Sequence, residues 1–449
     1  MPTFEFDQIS IAIVCCIIVL LAGFWILDYP PCDEVSVKHV QCIASPVRNA
    51  NESSIYRSHV TPEGFPLMSG LGIRQGYGRR NGDLRDVFAI AKEGPMVGNN
   101  SWEDIERDVH ALGKYLKSAN VTRVLVILPN TIRNITTQFA CAFYDITLCL
   151  KGNRTVSKGL EQALNIEASI VDEDGTVIHV LSSSDQAQRR TISWVELMAK
   201  SEGIIEINPQ EKLTNPALVT LKDNKQFSYS HSNIISAVAG QMFGLPRQYR
   251  LNERDVFLST NSFDDIPTRI CMYAALASKS RLLLFKEPFT LEDIGTDPTF
   301  VYTSPQRLQA LARLHNSYLK DVVASKWIAH GAHPPRWTRK MPWSLRVIKI
   351  SVASEIEAPS QNQITQVQKV SGSRIVIGTC DPNVAGNITE KHPCDYTQNG
   401  GYGIPLPCVE VKTIGPDDTV LVNGPAALAP WVKTDLHGVF SELNTLQLK

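Results

Sequence analysis

The chain has almost no net charge and no block of basic residues: 44 lysines and arginines face 45 aspartates and glutamates, for a formal net charge of -1 over 449 residues. A nucleic-acid-binding surface needs an excess of positive charge, so the composition does not support one. The 27 glycines and 26 prolines exclude collagen-like and low-complexity chains. With 43% hydrophobic residues, the composition indicates a globular protein of two or three subdomains.

Short catalytic and metal motifs are also scarce. The chain has no G-x-S-x-G segment, so the dipeptide Ser230-His231 gives little support for a hydrolase, and His231 is expected at a surface or a helix start. His330 and His333 have a spacing that would suit a metal, but Gly331 lies between them and prolines follow. A structured loop is therefore the favoured interpretation over a metal site.

The chain has ten cysteines, but no two of them form a C-x-x-C pair, and none has the cysteine or histidine spacing of a zinc site. Two alternatives stay open: buried free thiols, which we favour, and disulfides of a luminal domain. Among disulfides, Cys32–Cys42 is the best-placed pair because the two residues are close in sequence and lie just after a hydrophobic segment.

That hydrophobic segment is a long uncharged run near the start of the chain. Residues 9–27 carry no charge and would span about 28 Å as a helix, enough for a bilayer core. The acidic residues Glu5 and Asp7 precede the run and no small-residue cleavage site follows it, which argues against a cleaved signal peptide. We predict an uncleaved transmembrane anchor at residues 1–28.

The orientation of this anchor stays open. Positive charge is scarce on both sides, with Lys38 shortly after the run, which slightly favours a cytosolic domain. N-glycosylation sequons point the other way, toward the lumen; they lie at Asn51, Asn99, Asn120, Asn134, Asn153 and Asn387. We expect a single-pass protein of the endoplasmic reticulum, because a short anchor without a mitochondrial or peroxisomal signal suits that membrane.

Beyond the anchor, residues 29–84 are rich in proline and glycine and are predicted to form an irregular linker. Ordered structure is expected from about residue 85. Ser101 with Asp104 forms a capping-box-like helix start, and the apolar run 124–128 is typical of a strand buried on both faces. Strands and helices then alternate, with one helix predicted over 356–370, which indicates an α/β fold with a largely parallel sheet. Short strands and turns follow from about residue 400.

One stretch interleaves aromatic and basic side chains. A nucleic-acid surface is disfavoured there, and a basic patch facing a membrane or a partner is the alternative; the residues are Trp327, Arg336, Trp337, Arg339, Lys340 and Trp343.

Several segments, in order, resemble motifs of the adenylate-forming superfamily, the fold of acyl-CoA synthetases, luciferases and nonribosomal adenylation domains. No single match is strong, and the order carries the resemblance. The matching segments are 101–104 with 126–130, 229–234, 259–273, 344–348, 403–407, 420–425 and 431–438.

The resemblance implies the large N-terminal domain of that fold at residues 85–445: two layered α/β subdomains plus a small β-rich piece from about 400. The family continues into a mobile C-terminal domain that carries a catalytic lysine. The sequence given stops at Lys449, near the hinge, so the comparison predicts that this catalytic domain is absent.

The segment that corresponds to the family's phosphate-binding loop departs from the pattern. Backbone N–H groups wrap a triphosphate best where glycines leave room, whereas residues 219–228 contain no glycine and place Asp223 where an anion should lie. Thr220 is the residue of this segment that the resemblance assigns to nucleotide binding. We expect that the segment cannot form a normal ATP cradle.

Other family positions are changed or kept. The Tyr-Gly-x-Thr-Glu motif becomes I-G-T-C-D at 377–381, so Gly378 and Asp381 are its cofactor-binding candidates, with Asp381 as a weakened magnesium ligand. The Gly-Gly-Ala turn beside the acyl pocket is replaced at 351–355. Asp435, after Thr434, matches the aspartate that binds the ribose hydroxyls.

These departures predict a membrane-anchored, catalytically inactive acyl-CoA synthetase-like protein that acts as a lipid-binding, nucleotide-binding or scaffold module. One alternative is a divergent ligase that activates a fatty or other carboxylic acid with ATP, Mg²⁺ and CoA. A second is a membrane-tethered interaction protein without a ligand. ATP or AMP with Mg²⁺, and an acyl ligand, are expected only if the site is retained; the anchor would contact membrane lipid, and no protein partner is indicated.

Overall fold

The structure, a computed structural model, begins with the predicted apolar helix. It describes residues 8–27, 41–75, 78–97, 100–150, 164–172, 176–180, 190–199, 213–222, 225–284, 298–314, 317–329, 334–340, 344–395 and 401–449. Helix α1 (Gln8–Leu27) coincides with the predicted anchor. When only residues with described side chains are counted, no helix is both long enough and apolar enough to cross a membrane. The transmembrane anchor stays a prediction.

The segment 29–84, predicted to form an irregular linker, is irregular over much of its described length but also contains short strands. Its described part contains β1 (Ile43–Ala44), β2 (Tyr56–Arg57), β3 (Ile73–Gln75) and β4 (Gly78–Arg80). The strand β2 pairs with a strand near the far end of the chain, and the ring of Tyr56 stacks on that of Phe440 with centroids 3.5 Å apart. Local proline and glycine content cannot show a pairing of this kind, because the partner strand is remote in sequence.

The first α/β subdomain contains the helix start that the sequence predicted at Ser101. Asp83 and Ser101 cap the first two helices by accepting backbone N–H bonds. The elements are α2 (Leu84–Lys92), α3 (Trp102–Ser118), β5 (Arg123–Ile127), α4 (Ile132–Phe143), β6 (Thr147–Leu150), β7 (Ala168–Asp172), β8 (Thr176–Val180), β9 (Arg190–Ser193), α5 (Trp194–Ala199), β10 (Leu218–Lys222) and β11 (Lys225–Tyr229). The described strands are ordered β11-β10-β6-β5-β7-β8-β9, with parallel pairs in the centre and antiparallel strands at the edges.

The second subdomain repeats this plan. Its elements are α6 (His231–Gly244), β12 (Val256–Ser259), α7 (Ile266–Ala277), β13 (Arg281–Leu283), β14 (Phe300–Tyr302), α8 (Pro305–Leu311), α9 (Tyr318–Ala329), β15 (Val347–Val352), α10 (Gln361–Ser371), β16 (Arg374–Cys380), β17 (Asn387–Glu390) and β18 (Ile404–Pro405). The described strands are ordered β13-β12-β14-β15-β16-β17-β18, and the first five are mutually parallel. The α/β prediction with a largely parallel sheet is therefore confirmed.

One predicted helix is shorter than expected. The sequence pattern indicated a helix from residue 356 to 370, whereas α10 begins after Ser360, whose hydroxyl accepts the backbone N–H of Gln363. Pro359 precedes this cap and disfavours a helical conformation in the residue before it. The capping signal of Ser360 outweighed the apolar residues upstream of it.

The β-rich piece closes the molecule. Its strands are β19 (Glu410–Ile414), β20 (Thr419–Asn423), β21 (Val432–Phe440) and β22 (Leu446–Leu448), and together with β1 and β2 they form an antiparallel sheet. Helices α6 and α7 pack against each other, and one hydrophobic core includes Leu148 of the first sheet and Ile350 of the second. One hydrophobic core thus extends across both α/β subdomains.

Candidate functional site

The predicted site residues lie near the edge where the parallel strands of the second sheet end. Strand β16 ends at Cys380, and Asp381 follows it directly. Ligands of open α/β folds bind outside the carboxyl ends of parallel strands. The fold therefore places Asp381 where a ligand contact would be expected.

The Asp381 carboxylate is already engaged by the protein. One oxygen, Oδ1, accepts the backbone N–H and the side-chain amide of Asn383 at 2.8 and 2.9 Å, and Oδ2 accepts the backbone N–H of Asp435 at 2.9 Å. The side chain is 5% exposed. Magnesium prefers oxygen ligands in an open octahedral arrangement, and this buried carboxylate facing three N–H donors does not suit it. Within the described ranges no three His, Cys, Asp or Glu side chains form a metal-binding group.

The backbone N–H of Asp435 donates to the Asp381 carboxylate, whereas the side chain of Asp435 is exposed on β21. An exposed carboxylate can still accept hydroxyl hydrogen bonds of a ribose. Asp435 and Asp381 are therefore brought together, with different roles: Asp381 holds the turn and Asp435 faces outward.

Gly378 lies inside β16, between β15 and β17, and is required by packing. A Cβ atom at this position would lie 2.3 Å from Nδ2 of Asn387 and 3.0 Å from the carbonyl oxygen of Thr389. The glycine thus permits the close approach of β17. Its assignment to a nucleotide is not tested by this geometry and stays a prediction.

Thr220 lies within a paired strand. It is opposite Leu150 of β6 on one side and Phe227 of β11 on the other, and it is 8% exposed. The β10–β11 hairpin is paired up to Lys222 and Lys225. Two residues connect these paired ends, and both lie outside the described residues. A connection this short supplies few backbone N–H groups for a triphosphate.

A buried hydrogen-bonded network, which we call the Ser351 network, lies at the same sheet edge. Tyr302 donates to Ser351 at 2.6 Å, and Ser351 donates to Oδ1 of Asn387 at 2.6 Å. Asn387 in turn donates to Oε1 of Glu390 at 3.0 Å, and the ammonium of Lys349 donates to the same oxygen. Except for Ser351, these side chains are between 0 and 3% exposed.

The sequence contains one signal for this network that motif matching does not detect. Lys349 interrupts a mostly apolar strand, and a lysine in a buried strand needs a carboxylate partner. Glu390 supplies it, and also accepts the amide of Gln241 at 3.3 Å. The Asn387 sequon is explained as well: its asparagine is a buried member of the network, as Asn134 is buried in α4.

Burial also controls the ionisable groups around the site. It raises the pKa of the Tyr229 phenol, and the nearby Asp381 carboxylate raises that pKa further. The phenol donates to the carbonyl of Pro382 at 2.6 Å, so β11 is tied to the turn after β16. Burial likewise raises the pKa of Cys380. Neither group is activated for proton transfer or nucleophilic attack near neutral pH.

The nine described cysteines are free thiols; outside α1, six of them are buried and Cys380 is partly buried. Cys42 is a free thiol that donates to the carbonyl of Asn444 at 3.0 Å, and burial raises its pKa to about 12. Its predicted bridge partner Cys32 lies outside the described residues, as do His330 and His333.

Cavities occur elsewhere on the molecule. One of about 310 Å³ lies between the β1–β2 segment and the β-rich sheet, lined in part by Arg57, Glu410 and Lys412, which form ion pairs with neighbouring side chains. Another of about 800 Å³ lies between the end of α6 and the start of β12. Neither is lined by the four predicted site residues.

Comparison with solved structures identifies the fold. A benzoate CoA ligase from Burkholderia xenovorans LB400 aligns over 81% of this chain and 78% of its own, with 12% identity and a TM-score of 0.64. The o-succinylbenzoate CoA synthetase of Bacillus subtilis in complex with AMP aligns over 81% and 77%, with 14% identity and a TM-score of 0.63. The chain therefore has the fold of adenylate-forming, acyl-CoA synthetase-like enzymes, as the sequence resemblance predicted.

Sequence comparisons add little. No protein-family model matches the chain. An uncharacterized protein of Saccharomyces cerevisiae, YHR045W, is 45% identical over 53 residues, which is 12% of this chain and 10% of that protein.

Proposed function

We propose that the chain is a membrane-anchored, acyl-CoA synthetase-like protein that does not adenylate carboxylic acids and serves as a ligand-binding or scaffold module. The observation that carries the proposal is the Ser351 network. In the resembling family an acyl pocket lies beside the turn at 351–355, whereas here Tyr302, Asn387 and Glu390 pack into the sheet edge at 3% exposure or less. An acyl chain would have to displace a buried, fully bonded network.

The nucleotide side of the site supports the same conclusion. Asp435 offers an exposed carboxylate for ribose hydroxyls, and this is the element of the site that suits AMP. The short β10–β11 hairpin offers no glycine-rich cradle for the β- and γ-phosphates. We therefore expect AMP to bind about as well as ATP, with no chemistry following.

The test is ATP–pyrophosphate exchange by the full chain in detergent, with short, medium and long fatty acids and aromatic acids. We expect no exchange above background, alongside a benzoate CoA ligase with benzoate as the positive control. Exchange with any acid would overturn the inactive assignment and favour the ligase alternative.

Nucleotide titrations on the same preparation separate ligand binding from catalysis. AMP binding should be lost in Asp435→Ala and kept in Asp417→Ala, which removes an exposed carboxylate elsewhere in the β-rich piece. Equal binding by the two variants would overturn the nucleotide role of Asp435.

The anchor is proposed from α1, which contains no charged residue. Exposed apolar side chains such as Val19, Leu20 and Leu21, between 64 and 70% exposed, form a surface that water does not favour. Alkaline carbonate extraction should leave the full chain in the membrane pellet and release a variant that lacks residues 8–27. Release of the full chain would overturn the proposal.

A further inference from the structure

The open cavity of about 800 Å³ carries an unusual set of charges. Its lining includes four arginines and two carboxylates: Arg247, Arg250, Arg254, Arg346, Glu253 and Asp255. It lies between the end of α6 and the start of β12. Its lining includes none of the four predicted nucleotide-site residues. The charges divide into a structural ion pair and three arginines that form no ion pair with the described residues.

Arg346 and Asp255 form the structural pair. Two guanidinium nitrogens of Arg346 contact the Asp255 carboxylate at 2.6, 2.7 and 3.1 Å, and Arg346 also donates to the carbonyls of Gln248 and Arg250 at 2.7 and 3.3 Å. These bonds fix the turn after α6 to the turn before β12. The charges of Arg346 and Asp255 neutralise each other, and their hydrogen bonds make this wall of the cavity rigid.

Arg250 is held in place by backbone acceptors instead of a carboxylate. It donates to the carbonyls of Leu245 and Phe243 at 2.6 and 3.1 Å, at the end of α6. Burial lowers its pKa, and the neighbouring charge of Arg247 lowers that pKa further. Arg247 and Arg250 line the same cavity, and neither forms an ion pair with a residue that the structure describes.

Arg247 and Arg254 complete the group. Both are exposed, and across the described residues neither forms an ion pair or a side-chain hydrogen bond. Asn252 accepts the backbone N–H of Arg254 at 3.0 Å and donates to Asp255 at 2.7 Å, so the backbone that carries Arg254 is ordered by the same turn. Three guanidinium groups thus face one remaining carboxylate, that of Glu253.

We propose that this cavity binds a phosphate-bearing anion through Arg247, Arg250 and Arg254. A guanidinium presents a planar set of N–H donors that matches phosphate oxygens in pairs. Several guanidiniums at one site suit a doubly charged phosphate ester better than a single carboxylate. A volume of about 800 Å³ accommodates a phosphorylated small molecule or the phosphate headgroup of a lipid. The inference does not depend on the proposed function.

The test is calorimetric titration of the full chain, in zwitterionic detergent, with inorganic pyrophosphate. The variant is R247Q/R254Q, and the matched control is R74Q/R79Q, which removes the same charge from two exposed arginines of the β3–β4 hairpin. We expect pyrophosphate affinity to fall about tenfold or more in R247Q/R254Q and to change less than about twofold in the control. Absence of binding by the unmodified chain, or an equal loss in both double variants, would overturn the proposal.

Two further probes separate the sources of the phosphate. Glycerol 3-phosphate represents a soluble ester, and dihexanoylphosphatidic acid below its micellar concentration represents a lipid headgroup. Equal affinities would assign the site to soluble phosphates, and tighter binding of the lipid would assign it to a headgroup; dihexanoylphosphatidylcholine should bind in neither case. If R247Q/R254Q does not fold, R254Q alone, at an exposed side chain, gives the same comparison.

Discussion

Lys349 donates from its ammonium group to Oε1 of Glu390 inside the second sheet, and the two side chains are 0% and 2% exposed. Two charges buried this completely are stable only as a pair, because either one alone would face the full cost of desolvation. The same glutamate accepts amide hydrogens from Asn387 and Gln241. The pair therefore holds β15 to β17 at the edge where the predicted site lies.

The first prediction concerns this pair. Lys349→Met should lower the free energy of unfolding by about 3–5 kcal/mol, because the glutamate is left as an unpaired buried charge. The double variant Lys349→Met/Glu390→Gln should recover much of that loss, since it keeps an acceptor for the neighbouring amides and no buried charge. Urea unfolding followed by tryptophan fluorescence measures both. A double variant no more stable than Lys349→Met would contradict the assignment.

The second prediction separates a structural from a ligand-binding role at the two aspartates. Asp381→Ala leaves three N–H groups without their acceptor and should destabilise the fold by about 1–3 kcal/mol. Asp435→Ala removes an exposed side chain, so its unfolding free energy should change by less than about 0.5 kcal/mol. Thermal unfolding of both variants without nucleotide tests this. A large loss for Asp435→Ala would mean that its side chain has a structural role.

Most of the fold could be predicted from local patterns, because those patterns are the physical causes of the elements. Ser101 caps α3 through its hydroxyl. The apolar run 124–128 largely coincides with β5, which pairs with a parallel strand on each side. The strands β1 and β2 could not be predicted, since Tyr56 is ordered by β19 and Phe440 at the other end of the chain.

The candidate site was predictable only in part. The family resemblance assigned Asp381 and Asp435 to one nucleotide site, and the structure joins them by one hydrogen bond. Motif order could not show that Gly378 is needed to clear Asn387, because that contact depends on the antiparallel return of β17. Lys349 was the visible signal of a buried network, and its partner Glu390 lies on a different strand.

The third prediction concerns the sequons. Asn387 is 2% exposed and hydrogen-bonded through both amide atoms, and Asn134 is 0% exposed. A glycan on either side chain could not fit in the folded domain, so both peptides of the folded protein should be recovered unmodified by mass spectrometry whichever side of the membrane the domain faces. Asn51 and Asn120 are exposed and are the described positions at which a luminal domain could be modified. A glycan on Asn387 would contradict the burial of β17.

The last prediction concerns His231, the first residue of α6. Burial lowers the pKa of its imidazole to about 4; the carboxylates of Asp83 and Asp145 oppose this shift, and Arg85 adds to it. In the unfolded chain a histidine takes up a proton near pH 6.5. Between pH 6.5 and 4 the unfolded state therefore binds more protons than the folded state, and stability falls as the pH falls through this window.

His231→Gln removes this titration. Between pH 7.5 and 5, the unmodified chain should lose about 2 kcal/mol more of its unfolding free energy than the variant loses. His59→Gln, at an exposed histidine, is the matched control and should keep the pH dependence of the unmodified chain. Urea unfolding at a series of pH values measures the difference. If His231→Gln and His59→Gln show the same pH dependence, the imidazole of His231 is protonated in the folded state as readily as in the unfolded chain, and its burial at the start of α6 does not control acid stability.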